Sequence, residues 1–248
     1  MIRLLTFVLM FTFMLSTGST SLTNSASEDQ ATGLRLAALL RAARSVISNH
    51  QELINDPSPG DKQLTGERVV EEAVALFEER EGHRPLSETL NDRERKLINA
   101  EIDSIREILN ENQSLINAEG IAFKGFIPAV FARLVNERFA EKVGSEALLK
   151  VTAPNDLVRN RKARPDSWEQ FVFADHLQRA DWRHGDSFVE EAEHSGRGAF
   201  RMLIPEYYSV SCLSCHGEPK GELDVTGYPK EGGEEGDLAG AISITLFR

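Results

Sequence analysis

A change of hydrophobic period divides this sequence near its middle. In residues 30–57, Leu34, Leu36, Leu39, Leu40, Ala43, Val46, Ile47 and Leu53 recur at spacings of three and four, which predicts one apolar helical face. The Asp56-Pro57-Ser58-Pro59-Gly60-Asp61 cluster stops that run. A second helix is expected over 65–82, with Thr65 as its N-cap and Gly82 and Pro85 ending it. A third is expected over 87–117, where Leu90, Leu97, Ile98, Ile102, Ile105, Ile108 and Leu109 share a side. Its other face, dense in Glu, Arg and Asn, reads as solvated. A fourth is expected over 128–143. Beyond it, 148–152, 199–204 and 241–247 read as strands, 166–181 and 188–193 as helices, and the Gly/Glu/Asp-rich 217–239 as a solvated loop. The expected fold class is α+β, a helical N-terminal half followed by a mixed C-terminal half.

The first residues read differently. Met1-Ile2-Arg3, the apolar run from Leu4 to Leu15 and the small residues Ser16-Thr17-Gly18-Ser19 have the order of a secretory signal peptide, assigned to 1–26. A membrane-spanning helix needs about 20 apolar residues, more than this run has. The mature chain is therefore expected to be periplasmic or otherwise exported, soluble and without a membrane span. A helical region over 27–119 and a second domain over 120–248 complete the expected division. The formal charge of −11 argues against nucleic acid and acidic membrane surfaces as partners. Two cysteines in 248 residues exclude a disulfide-rich scaffold.

Both cysteines lie in Cys212-Leu213-Ser214-Cys215-His216, the attachment pattern of c-type haem. Two cysteines three apart sit on one side of a helical turn, so both sulfurs can reach the vinyl groups of one porphyrin. His216 then follows as the proximal iron ligand. One covalent haem c per chain is the cofactor expected, and covalent attachment outside the cytoplasm agrees with the export signal. Three other readings of the pair stay open: a zinc site, which wants more ligands at short spacing; a redox dithiol; and a local disulfide, whose small loop stabilises little. The 32 residues after His216 contain no Met, unlike small electron-carrier cytochromes with a downstream methionine ligand.

Further segments carry a resemblance. Gly125-Phe126-Ile127-Pro128-Ala129-Val130-Phe131, Arg159-Asn160, Pro165-Asp166-Ser167-Trp168-Glu169, the haem motif with Gly217, Tyr228-Pro229 and Gly236-Asp237-Leu238-Ala239-Gly240-Ala241-Ile242-Ser243 occur in this order. The set resembles a family of exported c-type haem domains of unknown function, which includes a cyanobacterial thylakoid-associated haem protein. The resemblance covers nearly all of the mature chain and is most specific over 120–247. It implies a PAS-like antiparallel sheet flanked by long N-terminal helices, with haem held in the C-terminal half. Two positions depart from the family pattern. Ala163 stands where a second Asn is usual, and no third cysteine exists to serve as the sixth iron ligand that some relatives draw from an early helix.

The sixth ligand is thus open. Met202, the sole methionine outside the signal, and His50 are candidates beside a vacant or water-bound site; core packing is the plainer reading of Met202. His83, His176, His184 and His194 read as surface residues. Arg159 is the candidate partner of a haem propionate, because a guanidinium matches a carboxylate bidentately; a surface ion pair is its plainer reading. Lys124 is a second, weaker candidate. Tyr207 and Tyr208 are expected to pack on the macrocycle or on the sheet, and Trp168 and Phe131 in the core. The functions compatible with these features are electron transfer or redox sensing with a separate redox or signalling protein partner. The alternatives are a haem-based gas or redox sensor module working through such a partner, or a haem enzyme, for which no distal His/Arg pair is visible.

Overall fold

The computed structural model describes residues 19–248, so the apolar run of the expected signal peptide lies outside them. Helix α1 (Ser19–Asn49) breaks at His50 and resumes as α2 (Gln51–Asn55). The break shifts the phase of the apolar stripe. Leu36, Leu39, Leu40, Ala43, Val46 and Ile47 are buried, but after His50 the buried position is Ile54 rather than Leu53. Leu34, which the spacing includes, is exposed. Helix α3 (Gly66–Glu81) starts as predicted: the Thr65 hydroxyl accepts from Arg68 N, and Gly82, at φ 74°, supplies the left-handed residue that closes it. Helix α4 (Asp92–Glu111) starts later than the apolar pattern suggests, because Asn91 and Glu94 form a reciprocal capping box. Its pattern continues into the short α5 (Gln113–Ile116). Helix α6 (Pro128–Val143) has the predicted bounds, with Pro128 in its first turn, where no intrahelical N–H is needed.

The sheet follows. Strands β1 (Ala147–Thr152), β2 (Phe188–His194), β3 (Arg197–Tyr207) and β4 (Leu238–Phe247) pair antiparallel in the order β1-β4-β3-β2. Helix α7 (Ser167–Val172), capped by Asp166, precedes β2 and runs into a π-helical turn, Phe173–Leu177. The last helical turn is α8 (Leu213–His216), between β3 and β4. The architecture is the expected α+β. The prediction of a helix over 188–193 is corrected: those residues form β2. Ser195 (φ 53°) and Gly196 (φ 76°) make a two-residue turn with both φ positive, the kind that closes a hairpin, and Phe188 to His194 pair in register with Leu203 to Arg197. Glu190, Glu191 and Glu193 have helical propensity, but strand pairing against β3 overrides it.

The sheet is buried on both faces. Phe200, Met202, Ile204, Ile242, Ile244 and Leu246 point into one core with α1, α3, α4 and α6. Leu203 and Ala241 point the other way, against Val172, Phe173 and Leu177. Gly33 is the contact that lets α1 lie flat: a Cβ there would stand 2.9 Å from Met202 Sδ. The helical half and the sheet thus share one hydrophobic core. Among the described residues no helix is long and apolar enough to cross a membrane.

One group in that core is out of keeping. Glu101 of α4 is fully buried, and neither carboxylate oxygen has a partner. Burial pushes its pKa well above the ordinary range. The folded state therefore binds the proton more tightly than the unfolded chain. Stability from this group is complete below the ordinary glutamate pKa of 4.5 and is lost as pH rises toward the folded value. Glu101→Gln should remove that slope: urea midpoints measured from pH 5 to 9 should fall with pH less steeply in the variant than in the parent chain.

Candidate functional site

Strand β3 delivers the chain to the motif. Its register shifts between Glu206 and Tyr207, and Tyr208 leaves the ladder to exchange backbone hydrogen bonds with the returning loop, Tyr208 N to Asp237 O and Gly236 N to Tyr208 O, both 2.9 Å. Glu206 is anchored to α1 by Arg41 (2.5 Å) and Arg44 (2.6 Å), which fixes this end of the strand. A 3-10 turn, Val210–Cys212, then runs into α8. Cys212 and Cys215 are free thiols, both partly exposed. The first thiol lies 3.3 Å from the Ser209 hydroxyl.

His216 ends the turn and is held from three sides. Its ring stacks on Tyr208 (centroids 5.1 Å, planes 25° apart). Its carbonyl accepts from Gly233 N at 2.8 Å. Its Nδ1 lies 2.9 Å from Glu231 Oε2. With Nδ1 donating to that carboxylate, Nε2 is the nitrogen left with a lone pair, the tautomer a metal-binding imidazole requires. Gly233 is required where it stands, because a Cβ there would be 2.5 Å from Tyr208 Cε2. Burial and the neighbouring Glu231 charge push the Tyr208 phenol up to about 12, so it stays neutral.

Arg159, from the loop after β1, organises the rest. Its Nε and Nη2 grip both oxygens of Glu231 (2.7 and 2.8 Å), its Nη1 donates to Asp224 (2.6 Å), and its Nη2 also donates to the Cys215 carbonyl (2.9 Å). Asp224 is fully covered and in turn accepts from the Thr226 and Tyr228 backbones, so it folds the 222–230 loop over the guanidinium. Burial alone would raise the pKa of Asp224 and Glu231. Hydrogen bonds from Thr226 and Arg159 to Asp224, and from Arg159 and His216 to Glu231, outweigh it and hold both below their ordinary values.

The Tll0287-like family (Tll0287) matches residues 36–246, which takes in the helical layer, the sheet and the motif turn. The chain belongs to the Tll0287-like family. This is a family of c-type haem domains of unknown function, and the match makes a haem-binding domain the coarse assignment. No curated protein and no solved structure matches the chain. In Tll0287-like terms the fit of the residues is direct: two free thiols flank one turn, and the adjoining imidazole presents an unengaged Nε2. Val210, Leu223, Val225 and Tyr228, on the motif turn and the neighbouring loop, are exposed.

Other predicted residues lie elsewhere. Arg159 is at the motif, and its donors meet two carboxylates and a carbonyl of the protein itself, the arrangement of its ion-pair reading. Met202 is wholly buried beneath Gly33, on the helix-facing side of β3 and five residues before Tyr207, about 17 Å along the strand. The structure therefore does not bring it to His216. His50 pairs with Glu72 at 2.6 Å, and Lys124 donates to the Asp56 and Ile116 carbonyls among the helices. His184 stacks on Tyr207 at 3.6 Å, and Trp168, expected in the core, is partly buried beside Val172 and Phe173 under the Arg201 guanidinium. Sequence reasoning missed Glu231, Asp224 and Gly233. They sit in a loop whose composition reads as solvated, and nothing local in the sequence links that loop to Arg159.

Removing the clamp should be costly. Arg159→Ala leaves the covered Asp224 carboxylate and the mostly covered Glu231 without their shared cation, an expected loss of about 2 kcal/mol by urea unfolding at pH 7. Both acids have depressed folded pKa values, so their stabilisation is present above the ordinary carboxylate range and is lost progressively as pH falls from that range toward the folded values. The deficit of Arg159→Ala should accordingly shrink at pH 3.

Proposed function

We propose that this is an exported, single-haem c-type protein whose role is redox: electron transfer or redox sensing with a separate protein partner. The observation that carries it is the turn 210–216, with two free thiols and an imidazole whose Nδ1 is already tied to Glu231. Cys212 and Cys215 would hold the macrocycle covalently, each S–H adding across one vinyl double bond with no net oxidation. His216 would supply the axial nitrogen through Nε2. One-electron chemistry at iron is what the cofactor contributes. The chain's own part is to hold the turn rigid and orient the imidazole, through Arg159, Glu231, Gly233 and the Tyr208 ring.

The first 26 residues support export, which covalent attachment outside the cytoplasm requires. The PAS-like architecture implied by the resemblance agrees with the antiparallel sheet and its helical cover.

Expression with export and haem-maturation machinery should give a mature mass increased by one haem and pyridine haemochrome bands of the c type. Cys212→Ser combined with Cys215→Ser should abolish covalent haem while leaving the far-UV circular dichroism unchanged, since neither thiol is in the core. An unmodified mature mass in the parent protein would sink the reading.

A further inference from the structure

We infer that Glu231 is a positioning residue for the proximal ligand: it makes His216 a strong electron donor and so biases the haem toward its ferric state. The inference rests on the haem reading above and says what kind of redox centre the site would make.

An imidazole ligand commonly gives its second N–H to a carboxylate, a backbone carbonyl or water, and the choice tunes ligand basicity. Here the acceptor is a carboxylate, Glu231 Oε2 at 2.9 Å. It is ionised and cannot turn away, because Arg159 holds both of its oxygens, at 2.7 and 2.8 Å. The Tyr208 ring fixes the imidazole plane, with its hydroxyl 3.4 Å from Nδ1. A charged acceptor pulls the Nδ1 proton harder than a neutral carbonyl does. The electron density this releases is delivered at Nε2, where it stabilises Fe(III) over Fe(II).

The arrangement also sets a ceiling. Arg159 shares the same carboxylate and draws part of its charge away, so the effect on His216 is graded. The guanidinium also donates to the Cys215 carbonyl, at 2.9 Å. One cation thus joins the covalent anchor and the acceptor that sets ligand strength. A purely structural ion pair between Arg159 and Glu231 would need no contact with His216. The Nδ1 contact is what separates the two roles.

The test uses the exported, haem-loaded full chain. Haem content comes from pyridine haemochrome and intact mass, and midpoint potential from spectroelectrochemical titration. Glu231→Gln keeps an oxygen acceptor but removes the charge. It should retain haem and shift the ferric/ferrous equilibrium about tenfold toward ferrous, a rise of about 59 mV for a one-electron couple. Glu231→Asp keeps the charge for Arg159 and draws it back from Nδ1. It should shift the potential upward by a smaller amount, and it covers the case in which Gln opens the loop and haem is lost. Glu222→Gln removes an equal charge from the exposed partner of Lys230 in the same loop. It should leave the potential near that of the parent. Haem-loaded Glu231 variants with the parent potential, or a shift that Glu222→Gln reproduces, would overturn the inference and leave the haem assignment standing. A parent chain without haem would overturn both.

Discussion

Arg159 is the constraint on which the motif end of the molecule depends. The segment between α8 and β4 is more than twenty residues long and contributes only a single isolated bridge, Leu223 to Pro229, of its own. Loops of that length need an internal organiser to hold one shape. A planar guanidinium with five donors can meet several acceptors at fixed angles, which a lysine ammonium cannot do. In this chain it meets Asp224, Glu231 and the Cys215 carbonyl together. Asp224 then folds the far part of the loop around itself, and Glu231 reaches the imidazole. A loop that composition would leave solvated becomes a wall of the site because one cation lies under it.

That wall needs something rigid to stand on, and the sheet provides it. Strand β3 is covered on both faces, so its end cannot drift without disturbing the helices on one side or α7 on the other. Near its end, Glu206 is tied to Arg41 and Arg44 of α1, just before the chain departs for Tyr208. The close passage of α1 over Met202 at Gly33 belongs to the same arrangement. The helical half thus bears on the site through the strand it braces, although none of its side chains was found on His216. That the family match begins within α1 agrees with this: the helical cover belongs to the domain's body.

Legibility from sequence followed the range of the interactions. Helices α3 and α6 could be read almost to the residue, because a Thr cap, a left-handed glycine and a first-turn proline are local chemistry. The motif was legible for the same reason, since all its chemistry lies within five residues. Strand β2 was not, because its identity comes from pairing with β3, and its glutamates carry no strand preference of their own. Arg159 shows the intermediate case. Its residue type and its place at the motif could be anticipated, but its partners, 65 and 72 residues downstream, could not. Met202 shows the converse: nearness in sequence to Cys212 suggested nearness in space, and an extended strand carries it away.

A second guanidinium, this one buried, shows why Arg159 is assigned a role beyond packing. Arg201 on β3 is only 2% exposed, lies 4.2 Å above the Trp168 ring and donates to Asp166, with Glu169 at 3.7 Å and Lys150 bound to Glu169 at 2.5 Å. Each partner in that group belongs to α7, its cap or the sheet. Its charges serve to seat one short helix on one face of the sheet, and His194 stands at its margin, 3.5 Å from Asp166. The Arg159 group has the same ingredients: one guanidinium, two carboxylates and an imidazole. It differs in the position of that imidazole, which follows two free thiols on a turn. Buried ion clusters are weak evidence of function in themselves, because packing alone can retain them. What distinguishes this one is that its last hydrogen bond falls on His216, the side chain proposed as the iron ligand.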